Sequence, residues 1–473
     1  MKLTRMAIAL APQGLRAGGR RRHLAGRFGG QAMALRKTWL AWTGLAGMLA
    51  LAAWPAQAAD LAIHAGRLID GTGKAPREKV TILVHDDRIA GVEPGFTAPR
   101  GATVIDLSAS TVLPGLIDDH VHITQSYHKG DPIHTAMTRT SFDDEIDAVV
   151  NARNTLMAGF TAVRDVGGDT QVVVALKNAI KNGVVPGPRM WVAGTPLGPT
   201  GGHGDAANGL DPELSHPGWT DNLVDSPEAA RKAVRRLRRE GADLIKIMPS
   251  GGVMSIGDDP ALQLMADDEI KAVIDTAHSL GMKVAAHAHG KQAIDHTIAL
   301  GVDSIEHGTY ADAESYKLFK AHGTYFVPTM LVGAKVYEHA RAHPEDLNPS
   351  TVQKALTVVP YMLKNMHNAH EAGVKIAFGT DTFGMSAHGE NAQEFKLLVG
   401  AGMSPMEAIQ AATWNAADLI GDTKDIGSIQ PDRYADIIAV AGDPLKDVTV
   451  LEKVQFVMKG GVVYKAGGQP TGH

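Results

Sequence analysis

Short apolar runs closed by Gly, Asp or His recur along most of this 473-residue chain, and between them lie longer stretches whose apolar positions return every three or four residues. Strand-length runs alternating with helix-period stretches predict parallel βα units. Eight runs fit: 116–123, 161–166, 190–193, 244–248, 284–289, 304–307, 325–330 and 376–381. The intervening stretches carry their own boundaries. SPEAARKAVRRLRREG has Ser226 to cap it and Gly241 to end it, and DDEIKAVIDTAHSLG ends at Gly281. Eight such units in about 310 residues predict a (β/α)8 TIM barrel, an α/β fold. The two ends read differently. Residues 60–112 alternate in short runs around Gly/Pro turns, and DIIAV and VQFVMKGGVVY near the other end do the same around Gly460 and Gly461. We expect these pieces to close on each other as a small β-sandwich. The predicted organisation is therefore a leader over 1–58, sandwich pieces over 59–113 and 426–473, and a barrel over 114–425.

The first 58 residues hold nine Lys or Arg and no Asp or Glu, which leaves 37 basic against 51 acidic residues, or −14, in the rest. An acidic body argues against nucleic acid as a partner, because that affinity comes from Lys and Arg on phosphates. From Met33 the leader reads as a secretory signal: Arg36 and Lys37, an apolar run from Trp39 to Trp54, then Ala56-Gln57-Ala58. The run is shorter than the roughly 20 residues a membrane span needs, so we expect cleavage, no remaining span and a periplasmic or secreted protein. A complete signal opening on its own Met33 also suggests that translation starts there. The chain has no Cys, which excludes disulfides, thiolate metal sites and a thiol nucleophile.

In a barrel the active site forms at the C-terminal strand ends, where this sequence concentrates His, Lys and Asp. Strand one ends in His120-Val121-His122, and two imidazoles one pleat apart can grip one metal ion. A chain with 21 His yields about one His-x-His by chance. This one has two, the second being His287-Ala288-His289. Context adds specificity. The first pair follows Leu113-Pro114-Gly115-Leu116-Ile117-Asp118-Asp119, Lys246 ends run four, His287 run five, His307 run six within Ile305-Glu306-His307-Gly308, and Asp381 run eight.

This set resembles the binuclear form of the amidohydrolase superfamily. The Lys246, Ala-His-Ala-His-Gly and Ile-Glu-His-Gly-Thr pattern is similar to its imidazolonepropionase-like branch, which includes exported Xaa-Pro and Xaa-Arg/Lys dipeptidases and ochratoxin-degrading amidases. The resemblance implies that His120, His122 and Asp381 hold one divalent metal ion and His287 and His307 another. It also implies that Lys246 bridges them as a carbamate made with carbon dioxide; zinc is the favoured metal. A carbamate anion suits a place between two dications, where an ammonium would be repelled. Two dications against a carbamate, a carboxylate and a hydroxide leave about +1 where an oxyanion must form. The implied reaction is hydrolysis of dipeptides or N-acyl amino acids by a metal-bridging hydroxide, with Asp381 moving the proton and a C-terminal amino acid released. Lactone, cyclic imide or deamination chemistry on the same site is the alternative, and a non-enzymatic scaffold is disfavoured by a complete ligand set. His289 is expected in a substrate or outer contact. Tyr310 and Arg164 either meet a substrate carboxylate or serve packing and ion pairing. The Gly-rich stretches around His203 and Gly251 read as active-site loops. Members of the branch often assemble, so a homo-oligomer is expected.

Overall fold

β-branched and apolar residues crowd the stretch from Leu61 to Pro114, and there the computed structural model forms β1 (Leu61–Leu68), β2 (Arg77–His85), β3 (Arg88–Pro94) and β4 (Thr103–Pro114). It describes residues 60–126, 138–211, 213–214 and 218–472; the leader and signal expected over 1–58 lie outside the described residues. Seven of the eight predicted runs are strands: β5 (Leu116–Val121), β6 (Phe160–Asp165), β7 (Arg189–Val192), β8 (Ile245–Ile247), β9 (Val284–Ala288), β10 (Ser304–His307) and β11 (Tyr325–Val327). The chain ends in β12 (Ile437–Ala441), β13 (Phe456–Lys459), β14 (Val462–Ala466) and β15 (Gln469–Pro470).

β5 to β7 pair in parallel, as do β8 to β11. Helices separate consecutive strands in an α/β pattern. Pro227–Glu240 forms where the cap signals predict it, with the Ser226 hydroxyl accepting from the Ala229 N–H (3.2 Å) and Gly241 left-handed at φ 107°. The eighth run departs from expectation. Residues 376–381 form no regular strand, although their backbone bonds both ways. Phe326 N–H donates to Lys375 O and Ala377 N–H to Phe326 O, while Asp119 N–H donates to Phe378 O and Asp381 N–H to His120 O. The segment thus lies between β11 and β5, with isolated parallel bridges at Phe326–Ile376 and Val121–Thr382. The segment ends at Asp381, whose φ of 54° lies outside the β region. A further parallel bridge, Leu197–Ile247, joins the loop after β7 to β8.

The first four and last four strands of the described residues meet in one sheet of eight, joined where β12 runs antiparallel to β4. Residues from both halves, among them Ile63, Ile82, Ile437 and Phe456, share one apolar cluster. No helix among the described residues is long and apolar enough to cross a membrane. Arg189 of β7 ties the parallel strands to this sheet: Nε and Nη2 each donate to Asp436 at 3.1 Å, and its guanidinium and that of Arg88 both stack on the Tyr434 ring, 3.6 and 3.7 Å from the centroid. Asp436 is buried, so removing the arginine leaves its carboxylate with the Gly460 N–H as its hydrogen-bond donor and no guanidinium opposite it. Arg189→Ala is expected to cost about 2 kcal/mol of unfolding free energy, read by urea denaturation; an unchanged midpoint contradicts this role.

Candidate metal centre

His120 and His122 reach the site through a break in the strand. The β5–β6 register slips between Asp118 and Val121, so two residues, Asp119 and His120, stand against Arg164. His120 Nδ1–H then donates to Glu306 Oε2 (2.7 Å) and His122 Nδ1–H to the Gly167 carbonyl (2.7 Å). Their Nε2 atoms are left pointing at one oxygen, Asp381 Oδ1, at 3.5 and 3.1 Å. Gly379 permits the approach: a Cβ there would stand 2.3 Å from Val327 and 2.9 Å from His120 Cβ. Asp118 clamps the same junction, accepting from His120 N–H, Thr380 N–H and Oγ1, and Asn391 Nδ2. Burial outweighs these bonds and pushes its carboxyl up to about 6.

His287, His289 and His307 offer ring nitrogens within 4.8 Å of one another, and His120, His307 and Asp381 form a second such group. His307 belongs to both. It reaches them from a left-handed backbone (φ 69°), with Nδ1 2.7 Å from the hydroxyl of Thr329, itself at φ 49°. His289 Nδ1 lies 2.6 Å from Thr309 Oγ1, and His287 Nε2–H donates to the Gly251 carbonyl at 3.1 Å. Each imidazole therefore has one nitrogen engaged and the other free to ligate, the usual way a protein orients metal-binding histidines. Burial pushes His120 down to about 4, His289 to about 3, and His287 and His307 well below the ordinary imidazole range. These four favour the neutral form that metal ligation requires, whereas at His122 burial is outweighed by the Asp381 carboxylate, which raises it. Lys246, 1% exposed, lines the same cavity, and burial lowers its amine to about 8. This donor set fits divalent metal ions.

Of the two alternatives left open for Arg164 and Tyr310, the structure shows ion pairing for the first and packing for the second. Arg164 does not face the cavity: Nη2 donates to Glu306 Oε1 (2.9 Å), Nη1 to Ser304 Oγ (3.0 Å) and Nε to the Asp119 carbonyl (2.6 Å). Its charge, with the His120 hydrogen bond, overcomes burial and holds the Glu306 carboxyl well below the usual carboxylate range. Tyr310 turns its ring onto Tyr361, 5.5 Å between centroids, and is absent from the cavity lining. His289 stands within the imidazole cluster itself.

Three contributors escaped the sequence reading. Glu306 was visible only as part of a motif, and Asp118 as part of the strand entry. His203 lay in a loop singled out for its glycines. Its ring stacks on His287 (4.3 Å, 29°) and its Nδ1 is 2.8 Å from Ser255 Oγ. Ser255 donates to Asp258, which Lys354 Nζ holds at 3.0 Å. Gly252 leaves room for that ring, since a Cβ there would sit 2.3 Å from it. Only the glycine signal, read as making space for a side chain, could have found it.

The sequence pattern of the Amidohydrolase family matches residues 111–464. Ochratoxinase of Aspergillus niger is 32% identical over 434 residues, 86% of this chain and 87% of that protein. Imidazolonepropionase of Salinispora tropica is 24% identical over 404 residues, covering 79% and 90%. A crystal structure of a Xaa-Pro dipeptidase with bound methionine in the active site superposes with a TM-score of 0.83 at 38% identity, covering 86% of this chain and all of that one.

Glu306→Gln removes the charge that orients His120 while keeping its shape. We expect metal affinity to fall about 10- to 100-fold with the fold intact, measured by competition against a chelating dye; unaltered affinity would remove Glu306 from the centre.

Proposed function

The chain belongs to the amidohydrolase family, in its imidazolonepropionase-like branch, and is a hydrolase of amide bonds; on that premise we propose that it releases a C-terminal amino acid from dipeptides or N-acyl amino acids. The observation carrying this reading is the convergence of His120, His122, Lys246, His287, His307 and Asp381 on one cavity of about 430 Å³, large enough for a small peptide. The names of the similar proteins, a dipeptidase and an ochratoxinase, support the substrate class.

His120, His122 and Asp381 would hold one divalent ion, His287 and His307 the other, with zinc favoured. Metal at these donors acidifies a water and polarises a carbonyl. Lys246 would bridge as a carbamate. Its amine, lowered to about 8, supplies more of the neutral form that carbon dioxide needs. The nitrogen lone pair bonds to carbon, one C=O π pair moves to oxygen, and an N–H proton leaves to solvent. In turnover the Asp381 carboxylate accepts a proton from the attacking water and passes it to the leaving nitrogen as the C–N bond breaks. A free carboxylic acid and an amine result. Glu306 keeps the His120 tautomer fixed, and His203, neutral because burial lowers it to about 4, borders the same space without adding charge.

The parallel strands support a closed (β/α)8 barrel, in which the bridges Leu197–Ile247, Phe326–Ile376 and Val121–Thr382 complete the ring. The shared apolar cluster supports folding of the terminal sheet into a sandwich, with boundaries at 59–113, 114–425 and 426–473. Export follows from the leader pattern. Assembly into a homo-oligomer is supported by Phe142, Ile146 and Val150, which lie four residues apart on helix Ser141–Met157 and are 79%, 67% and 54% exposed.

Purified protein is expected to carry about two metal ions per chain by mass spectrometry and to hydrolyse N-acyl amino acids faster than lactones. Lys246→Ala and Asp381→Asn should each lower kcat at least about 100-fold. Removing metal should abolish turnover, and bicarbonate should speed recovery on reloading. Lactones as the better substrates, or near-normal activity in either variant, would overturn the assignment.

A further inference from the structure

The two helices after β11, Met330–Ala342 and Pro349–Glu371, add no donor to the imidazole cluster, yet they supply Val332, Gly333, Val336, Val359 and Met362 to the lining of its cavity. Phe383 carries this apolar wall to the donors: its ring meets that of His122 edge-on, 6.5 Å between centroids. The wall is firmly backed. Val332, Val336, Ala355 and Val358 pack as one buried cluster with Val253. The Met330 and Leu331 N–H groups, at the start of the first helix, donate to the buried Glu394 carboxyl at 3.0 and 2.6 Å.

Two carboxylates border the cavity, and neither stands on the two helices that supply the wall. Asp381 is held among imidazoles, and Asp169 Oδ1 accepts from the Gln171 and Val172 N–H groups as the cap of helix Thr170–Lys181. A basic or acidic side chain laid on the wall would lose water and gain no partner, which is costly. An apolar one gains by the same burial. Gly333 leaves a shallow space between the helices: a Cβ there would touch Met362 Cε and Val359 Cγ1 at 3.4 Å, ordinary contact distance.

We propose that this wall selects substrates with a large apolar side chain, of the methionine, leucine or phenylalanine kind, on one side of the scissile amide. The proposal rests on the amide-hydrolase reading above and adds the side-chain class. Basic side chains are rejected because nothing on the wall can pair with them, and glycine because it leaves the wall uncovered.

The test uses the full mature chain loaded with metal and a panel of Gly-Xaa, Xaa-Gly and N-acetyl-Xaa compounds, with Xaa as Met, Leu, Phe, Pro, Gly, Arg, Lys or Asp. At one of the two positions Met, Leu or Phe should exceed Arg, Lys and Gly in kcat/KM by at least about 10-fold, the low end for one well-filled apolar contact. Binding gives a separate readout: N-acetylmethionine should raise the melting temperature of Asp381→Asn, and N-acetylarginine at equal concentration should not. Gly333→Leu should lower the Phe-to-Gly ratio of kcat/KM at least about 10-fold. Hydrolysis led by Arg, Lys or Pro at both positions, or an unchanged ratio in folded Gly333→Leu, overturns the selectivity alone. Silence across the panel with metal bound overturns the amide-hydrolase reading as well.

Discussion

A carboxylate with no exposed surface, Glu306, sets the geometry on which the centre depends. Isolated, it would cost several kcal/mol to bury as an ion. Arg164, Ser304 and His120 surround it instead, and each of its oxygens accepts at least one hydrogen bond. The arrangement is directional. Arg164 also grips the Asp119 carbonyl, so the bulge of β5 that presents His120 is locked to the carboxylate that fixes its tautomer. One buried ion pair thus connects the backbone of strand one, the side chain of strand two and the end of strand six.

The donors beyond it are held by backbone conformations that sequence alone rarely selects. His307, Thr329 and Asp381 are three of the six non-glycine residues with positive φ among the described residues, and all three lie at this rim. Such conformations cost of order 1–3 kcal/mol each and persist only when surrounding contacts over-determine them. Here those contacts are visible: Thr329 meets the ring of His307, and Asp118 with Asn391 pins Thr380 beside Asp381. The large apolar core beneath, including Phe160, Phe378 and Phe395 in successive ring contact, provides the stability that offsets this strain.

These conformations also explain what could be read from the sequence and what could not. Apolar run length and helix boundaries located seven strands to within a residue or a few, because burial and capping are local. The eighth is held by isolated bridges and not a regular ladder, and the left-handed turn that ends it at Asp381 is carried by no pattern. Strand alternation sends Glu306 and His307 to opposite faces, so only one of them reads as a site residue; φ 69° at His307 breaks that pleat and both serve the centre. For Arg164 the sequence left a substrate contact and a structural ion pair equally open, because a strand-end arginine is chemically suited to both. Its guanidinium is consumed by partners 45 to 142 residues away, a tertiary fact. His203 depended on Gly252, 49 positions on, leaving space for its ring.

Chemistry and selectivity therefore rest on different parts of the chain. Donors stand on strand ends whose ladders and ion pairs are mutually dependent, so altering any of Asp118, Arg164, Glu306 or Gly379 disturbs several others. The apolar wall stands on two helices inserted after β11, anchored by the Glu394 carboxyl and by packing that tolerates volume-conserving change. Substitution in those helices can reshape what lies against the amide without moving an imidazole. The same dependence that makes the rim intolerant is what leaves the wall free to vary, because no hydrogen bond of the centre passes through Val332, Val336, Val359 or Met362.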